Sequence, residues 1–344
     1  MIFLKKVVIP RTKPYSVLCY EALFRWLLPH LRENKILQDE YASYRAGYRG
    51  EKNADYILST YPHKNAFIFQ GIRLKVGPFH FQIDTLLVTP KFILIIEIKN
   101  LKGELEYNPK TQQLIQIDGD QKKGQKNPIL QAETQKRHLT LWLQQSGFPP
   151  MPIETIGVST NPSSILSYKD ETTLPLKFVQ LESLPTILDH LYKSYSKGIY
   201  DSTTIRKLNK KLIKDNSPHK PDLINQFNIK SHHLIKGIVC NECDTFPIQY
   251  KNKKWKCPKC GWEDPKAHEQ KIFDYFLLYE PTITNRACRE LLQIKSPKVA
   301  RRLLYSMNLE HSGRNYSRKY HSPPLEKFPQ DSFVSIGKRS IFND

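Results

Sequence analysis

QIDTLLVTPKFILIIEIKN, residues 82–100, decides how the rest of the chain is read. The segment running into it, FHFQID, alternates strictly. Phe79, Phe81 and Ile83 therefore share one face, and His80, Gln82 and Asp84 the other. After a turn at Thr89 and Pro90 comes FILIIEIKN, a run apolar on both faces that predicts a central strand covered on two sides. Glu97 and Lys99 lie two residues apart near its end and so share a face. The hairpin thus carries three ionisable side chains, Asp84, Glu97 and Lys99, where a buried sheet ought to have none.

A charge buried alone costs several kcal/mol, so a carboxylate and an ammonium at such a strand end need a partner, either each other or a metal ion. A structural ion pair of Glu97 with Lys99 is one reading. The other adds Asp84 from the neighbouring strand as a second carboxylate. Hard divalent cations take a few carboxylate oxygens and keep waters for a phosphate. Lys99 would then orient an attacking water or stabilise charge on the phosphate.

Asp84, twelve residues, then Glu97-Ile98-Lys99 is similar to the core of the PD-(D/E)XK nuclease superfamily. The flanks YRGEKNADYIL, QIDTLLV, IIEIKN, Gly103 and NPILQAETQKRHL resemble the NERD (nuclease-related) domain family over about residues 40–145. Thr85 stands where another polar residue or His is unsurprising. The resemblance implies a restriction-endonuclease-like α/β core, a central mixed sheet flanked by helices. It implies a site lined by Glu51, Asp84, Glu97, Lys99 and Gln131, with Glu51 and Gln131 reaching in from helices. Asp84 and Glu97 would hold Mg2+ or Mn2+.

At 344 residues, 39% hydrophobic, the chain has length for two or three domains with real cores. Its net charge of +20 is unevenly spread: residues 201–344 hold 27 Lys and Arg against 15 Asp and Glu, and the longer N-terminal part holds 26 against 18. That footprint suits a polyanion, most simply DNA, with RNA also open. No run of about 18 apolar residues suggests a membrane span. Residues 1–9 carry lysines where a secretory signal would be apolar. Four of six cysteines pair into C-x-x-C motifs, which fits metal binding in a reducing, cytoplasmic setting.

In chain order, helical patterns occupy 15–33 and 37–58, the second holding Gly47 and Gly50. Each glycine costs about 1 kcal/mol against Ala, which close packing that brings Glu51 to the site would explain. AFIFQGIRL, the hairpin, GELEYN and QLIQI are predicted to form one mixed sheet of about five strands. Asn127 and Pro128 read as cap and first residue of a helix, with Gln131, Gln135, His138 and Trp142 on one stripe. Residues 153–159 and 176–180 read as further strands, and 203–214 as a basic amphipathic helix before a linker.

Cys240, Cys243, Cys257 and Cys260 have the layout of a zinc ribbon, two turns closing a thiolate tetrahedron around structural Zn2+. Lys254 and Trp255 on its hairpin suit a nucleic-acid contact. Beyond it, residues 265–322 read as a helix-turn-helix-like module, with Lys298, Arg301 and Arg302 on the outer side of its last helix. A plain three-helix bundle is the alternative. The expected divisions are 1–36, a helical extension; 37–200, the nuclease-like domain; 201–235, basic helix and linker; 236–264, the ribbon; 265–322, the helical module; and 323–344, a tail. The functional expectation is a metal-dependent nuclease acting on DNA, the alternative a non-catalytic DNA-binding or regulatory protein keeping a nuclease fold.

Overall fold

The computed structural model describes residues 5–169 and 177–334. The elements in order are β1 (Lys5–Ile9), α1 (Tyr15–Trp26), α2 (Lys35–Thr60), β2 (Ala66–Val76), β3 (Phe79–Val88), β4 (Ile93–Lys99), β5 (Glu104–Asn108), β6 (Gln113–Asp118), β7 (Gln121–Gln125), α3 (Pro128–Gln145), β8 (Ile153–Ser159), β9 (Ile165–Tyr168) and β10 (Phe178–Gln180). There follow α4 (Leu184–Ser194), α5 (Ser202–Asp215), α6 (Leu223–Gln226), β11 (Gln249–Lys251), β12 (Lys254–Lys256), β13 (Glu263–Asp264), α7 (Ala267–Leu278), β14 (Thr282–Thr284), α8 (Asn285–Leu292), α9 (Pro297–Ser306), β15 (His311–Ser312) and β16 (Lys319–His321). The chain forms two compact units: Met1–Arg11 with Arg45–Pro218, and Thr12–Tyr44 with His219–Asp344.

The first unit is a mixed six-stranded sheet in the order β1-β2-β3-β4-β8-β10. β2, β3 and β4 run antiparallel, while β1 pairs parallel with β2, β8 with β4, and β10 with β8. Helices cover both faces. Ala132, Leu139, Trp142 and Leu143 of α3 and Ile205, Leu208 and Leu212 of α5 pack on one face with Ile93 and Ile95. Ala54 and Leu58 of α2 and Leu184 and Leu188 of α4 pack on the other with Leu94, Ile96 and Ile98. This double cover is why β4 reads as unbroken apolar sequence. The strand Lys5–Ile9 has no counterpart in the helical extension expected over 1–36. Its short Lys-Lys-Val-Val-Ile run carries too little alternation to announce an edge strand. Leu176, at the start of the expected strand 176–180, lies outside the described residues, as does the tail beyond 334.

GELEYN and QLIQI do not extend the main sheet. β5 and β6 belong to a separate four-stranded sheet, β7-β6-β5-β9. The cause is Gly103, held at φ 79° with its missing Cβ only 2.2 Å from the Ile117 carbonyl oxygen. Only glycine fits that left-handed, tightly packed turn, so the chain leaves the sheet after Lys99 and starts another.

Alternation also breaks at the centre of β3. Phe81 and Ile83 line the α3 face, but so do Leu86 and Val88. β2 breaks beside it, with Phe69 and then Ile72 and Leu74 on that same face and Gly71 between them at φ 70°. Asp84 sits at this interruption of the pleat, the kind of irregularity that re-aims a side chain.

In the second unit α1 packs on α7, where Arg25 donates to Asp274 through Nε at 2.9 Å and Nη2 at 2.6 Å. Trp26 Nε1 donates to the same carboxylate at 3.2 Å, and the Lys271 ammonium lies 3.9 Å from the Trp26 ring centre. β11, β12 and β13 form a small antiparallel sheet. The C-terminal part runs helix, strand, two helices and two strands, with sheet order β14-β16-β15. α8 ends at Gln293 in the left-handed region, and the Ser296 hydroxyl caps α9 by accepting from Val299 N at 3.4 Å. Among the described residues no helix is long and apolar enough to cross a membrane.

Candidate active site

Asp84 and Glu97 lie next to the last ladder pair joining β3 and β4, Thr85 with Ile96. Where the ladder would continue, an Asp84 carboxylate oxygen accepts from Ile98 N at 2.9 Å. Glu97 points to the α3 face and is 4% exposed. Its Oε1 accepts from Lys99 Nζ at 2.8 Å and its Oε2 from Gln135 Nε2 at 2.7 Å. The ion pair weighed from sequence is therefore present, and Asp84 stands beside it with no cation among the described residues in hydrogen-bond contact. Burial and the neighbouring charges of Glu97 and Glu51 push the Asp84 carboxyl well above the ordinary carboxylate range, against the pull of Ile98 N–H and Lys99. A buried carboxylate among carboxylates favours its neutral form unless a cation joins it.

α2 delivers Glu51. Its neighbour Gly50 is where the helix meets the ends of β4 and β8: a Cβ there would stand 2.5 Å from Asn100 Cβ and Thr160 Oγ1. Asn100 Nδ2 fastens the contact by donating to Ala46 O at 2.7 Å. Gly47, by contrast, has open space around it. The packing reason anticipated for the two glycines thus holds for Gly50 alone. Burial raises the Glu51 carboxyl, opposed by Arg11, with Asp55 and Glu97 raising it further.

α3 is opened as expected, with Asn127 Oδ1 accepting from Ile129 N at 2.8 Å and Leu130 N at 3.4 Å. Its residue bonded to Glu97 is Gln135, one turn beyond Gln131. Both glutamines keep a buried Oε1 with no hydrogen-bond partner among the described residues. Oxygen donors of this kind, with Asp84, Glu97 and Glu51, suit a hard divalent ion and its waters.

Three residues of this cluster were missed in the sequence. Arg11, following β1, donates through Nε to Asp55 Oδ2 at 2.6 Å and through Nη1 to Glu51. Its Nη2 reaches Asp55 Oδ1 at 3.1 Å, Asp84 O at 2.9 Å and Thr85 Oγ1 at 3.0 Å. The i,i+4 spacing of Glu51 and Asp55 on α2 was a legible sign of a shared face. Nothing in RTKP marked Arg11. Gln135 stood on the predicted α3 stripe without anything to prefer it over Gln131.

In the second unit the sulfurs of Cys240, Cys243, Cys257 and Cys260 all lie within 4.8 Å of one another, a cluster that supports the zinc ribbon and could hold the ion. Lys254 is exposed and bridges to Glu263 at 3.2 Å. Trp255 does not serve as a surface contact. It is fully buried between Tyr250 and His268, to whose Nδ1 its Nε1 donates at 3.3 Å. A residue facing inward in the three-residue strand β12 leaves its lysine neighbours outside, so the ring is the ribbon's core. Lys298, Arg301 and Arg302 are exposed on α9, over buried Ala300, Leu303 and Leu304. Arg302 Nη2 also donates to Tyr250 Oη at 3.2 Å.

Searches of curated proteins and of solved structures found no match. A family model does match, over a stretch that takes in Glu51, Asp55, Asp84, Glu97, Lys99, Gln131 and Gln135 and leaves Arg11 outside. The matched stretch is residues 46–160, and the family it resembles is NERD, the nuclease-related domain.

Proposed function

We propose that the protein is a Mg2+- or Mn2+-dependent nuclease that hydrolyses phosphodiester bonds in DNA. The observation carrying this reading is the Asp84 carboxylate, buried beside Glu97 and Glu51 with no cation among the described residues in hydrogen-bond contact, on the strand next to the one that presents Glu97 and Lys99. A polar cluster so costly to fold is what a substrate-phosphate and metal site requires. Bound there, a divalent ion supplies Lewis acidity and charge neutralisation at the phosphate.

Within that site Asp84 and Glu97 would hold the ion, with Glu51 completing the acidic surround. Lys99, paired with Glu97, would offer its N–H donors to the attacking water or to charge gathering on the phosphate. Gln135 holds the second Glu97 oxygen in place. Its unpartnered Oε1, with that of Gln131, accepts from ordered water.

The helical module supports DNA as the partner: two helices joined at Gln293–Ser296, a cationic outer side on α9 and a β14-β16-β15 sheet suit a helix-turn-helix with a wing. The ribbon, with exposed Lys251, Lys254 and Lys256, adds phosphate contacts. The test is cleavage of supercoiled, linear and single-stranded DNA with Mg2+ or Mn2+, with Asp84→Ala and Lys99→Ala in parallel. Cutting by the parent alone is expected. Absence of metal-dependent cleavage of any DNA or RNA form overturns the reading. Salt-sensitive binding without cutting would then assign the chain to binding or regulation.

A further inference from the structure

Arg11 lies outside the NERD match, on the segment that follows an edge strand, yet its side chain is 5% exposed and every nitrogen of its guanidinium is engaged at the carboxylate site. It joins elements distant in sequence: Glu51 and Asp55 on α2, and the Asp84 carbonyl and Thr85 hydroxyl on β3. Its own backbone is held as well, since Arg11 N donates to Gln70 Oε1 at 2.6 Å. Gly71 of the adjoining strand lies alongside it at φ 70°, where a Cβ would stand 3.6 Å from Arg11 Nη1, an ordinary contact.

We infer that Arg11 is a positioning residue of the metal site, fixing Glu51 beside Asp84 at the centre of β3 without touching ion or substrate. The inference rests on the metal-dependent reading given above. The chemistry of the guanidinium explains why this residue type stands here. One face of the fork grips Asp55 through two nitrogens, which sets the plane of the group. The plane then aims Nη1 at Glu51 and Nη2 at the Asp84 carbonyl. A lysine would bring the same charge but neither the plane nor the five donors. Asp55 in this scheme orients the orienter. It anchors Arg11 so that Glu51, which is otherwise free to swing on three side-chain torsions, faces the two ligands in one arrangement. β1 acquires a role through this contact, since its parallel pairing with β2 brings Arg11 to the level of Gly71 and Asp84.

The experiment measures Mn2+ affinity by calorimetry on the full-length metal-free protein, for the parent, Arg11→Lys, Glu51→Gln and the double variant, with thermal melts alongside. Arg11→Lys keeps the charge, so it reports geometry. Loss of a partner that supports a metal site from outside the ligand set lowers metal affinity about 10–100-fold. Arg11→Lys is expected to weaken Mn2+ within that range, Glu51→Gln to weaken it too, and the double variant to lose no more than the worse single one. Unchanged affinity in Arg11→Lys, or losses that simply multiply, overturns the inference. If Arg11→Lys does not fold, Asp55→Asn decides: a severalfold weaker Mn2+ affinity supports the anchoring scheme, and unchanged affinity sinks it. A folded parent that binds no Mn2+ removes the metal reading itself, an outcome distinct from a parent that binds and an Arg11→Lys variant that binds equally well.

Discussion

Asp84 is the side chain at which folding and function pull in opposite directions. Its carboxyl is raised well above the ordinary value by burial and by Glu97 and Glu51, so the metal-free fold favours the protonated form. The sign follows from linkage. A carboxyl that binds its proton more tightly folded than unfolded gives stability that is full below the unfolded value and is lost as pH rises through the folded one. Metal-free protein is therefore expected to lose stability with rising pH above the ordinary carboxylate range. Asp84→Asn, which keeps an acceptor for Ile98 N, is expected to flatten that slope and to raise the melting temperature at neutral pH, while lowering turnover on the order of a hundredfold or more. Denaturant melts across pH and a cleavage assay on the same preparations check both halves. A variant less stable than the parent at neutral pH would contradict the account. At this scale the sequence was legible where chemistry is local. Asp84, Glu97 and Lys99 declare themselves because charges interrupt an apolar run. Arg11 does not, because its meaning lies in partners 40 and more positions away. Trp255 misled because a tryptophan among lysines reads as a surface residue until its inward facing in β12 is known.

Helix α2 acts as a lever whose fulcrum is Gly50. A methyl group there meets Asn100 Cβ and Thr160 Oγ1 at 2.5 Å, and the first of these is fixed by backbone, so the helix has to move. Gly50→Ala is expected to cost about 1–3 kcal/mol as an overpacked contact and to lower activity by displacing Glu51. Gly47→Ala, in open space, is expected to stabilise by up to about 1 kcal/mol through helix propensity. Denaturation of the two variants side by side tests the contrast, and equal effects would refute it. Elements were the most readable level of the sequence: the double-sided cover of β4, the Asn127 cap and the α8–α9 turn all follow from spacing and residue type. Sheet membership was less so. The departure of β5 and β6 into a second sheet depends on the left-handed Gly103 against the Ile117 carbonyl, a long-range contact that no local pattern encodes.

For the whole molecule the +20 charge predicts binding to polyanions, and the two units share it, +11 on the first and +9 on the second. Lys298→Ala and Arg301→Ala are each expected to weaken DNA binding across sequences and to reduce the slope of log affinity against log salt by about 1. Anisotropy titrations at several salt concentrations measure this, and an unchanged slope would remove α9 from the interface. The overall class, a mixed α/β core with a ribbon and helices after it, could be read from the chain. The interleaving of its two units could not, because β1 gives so weak a signal. That interleaving bears on how the protein can be taken apart. Residues 1–11 belong with 45–218, and 12–44 with 219–344, so the chain passes between units more than once and no single cut releases either intact. A fragment limited to residues 46–160 would carry every acidic side chain of the site but leave out β1, Arg11, β10 and α4, exposing one long edge of β2 and half of an apolar layer. Recombinant work on the isolated homologous segment would thus meet an insoluble or inert product for reasons of connectivity, and an affinity tag belongs at the far terminus, away from the strand that carries Arg11 into place.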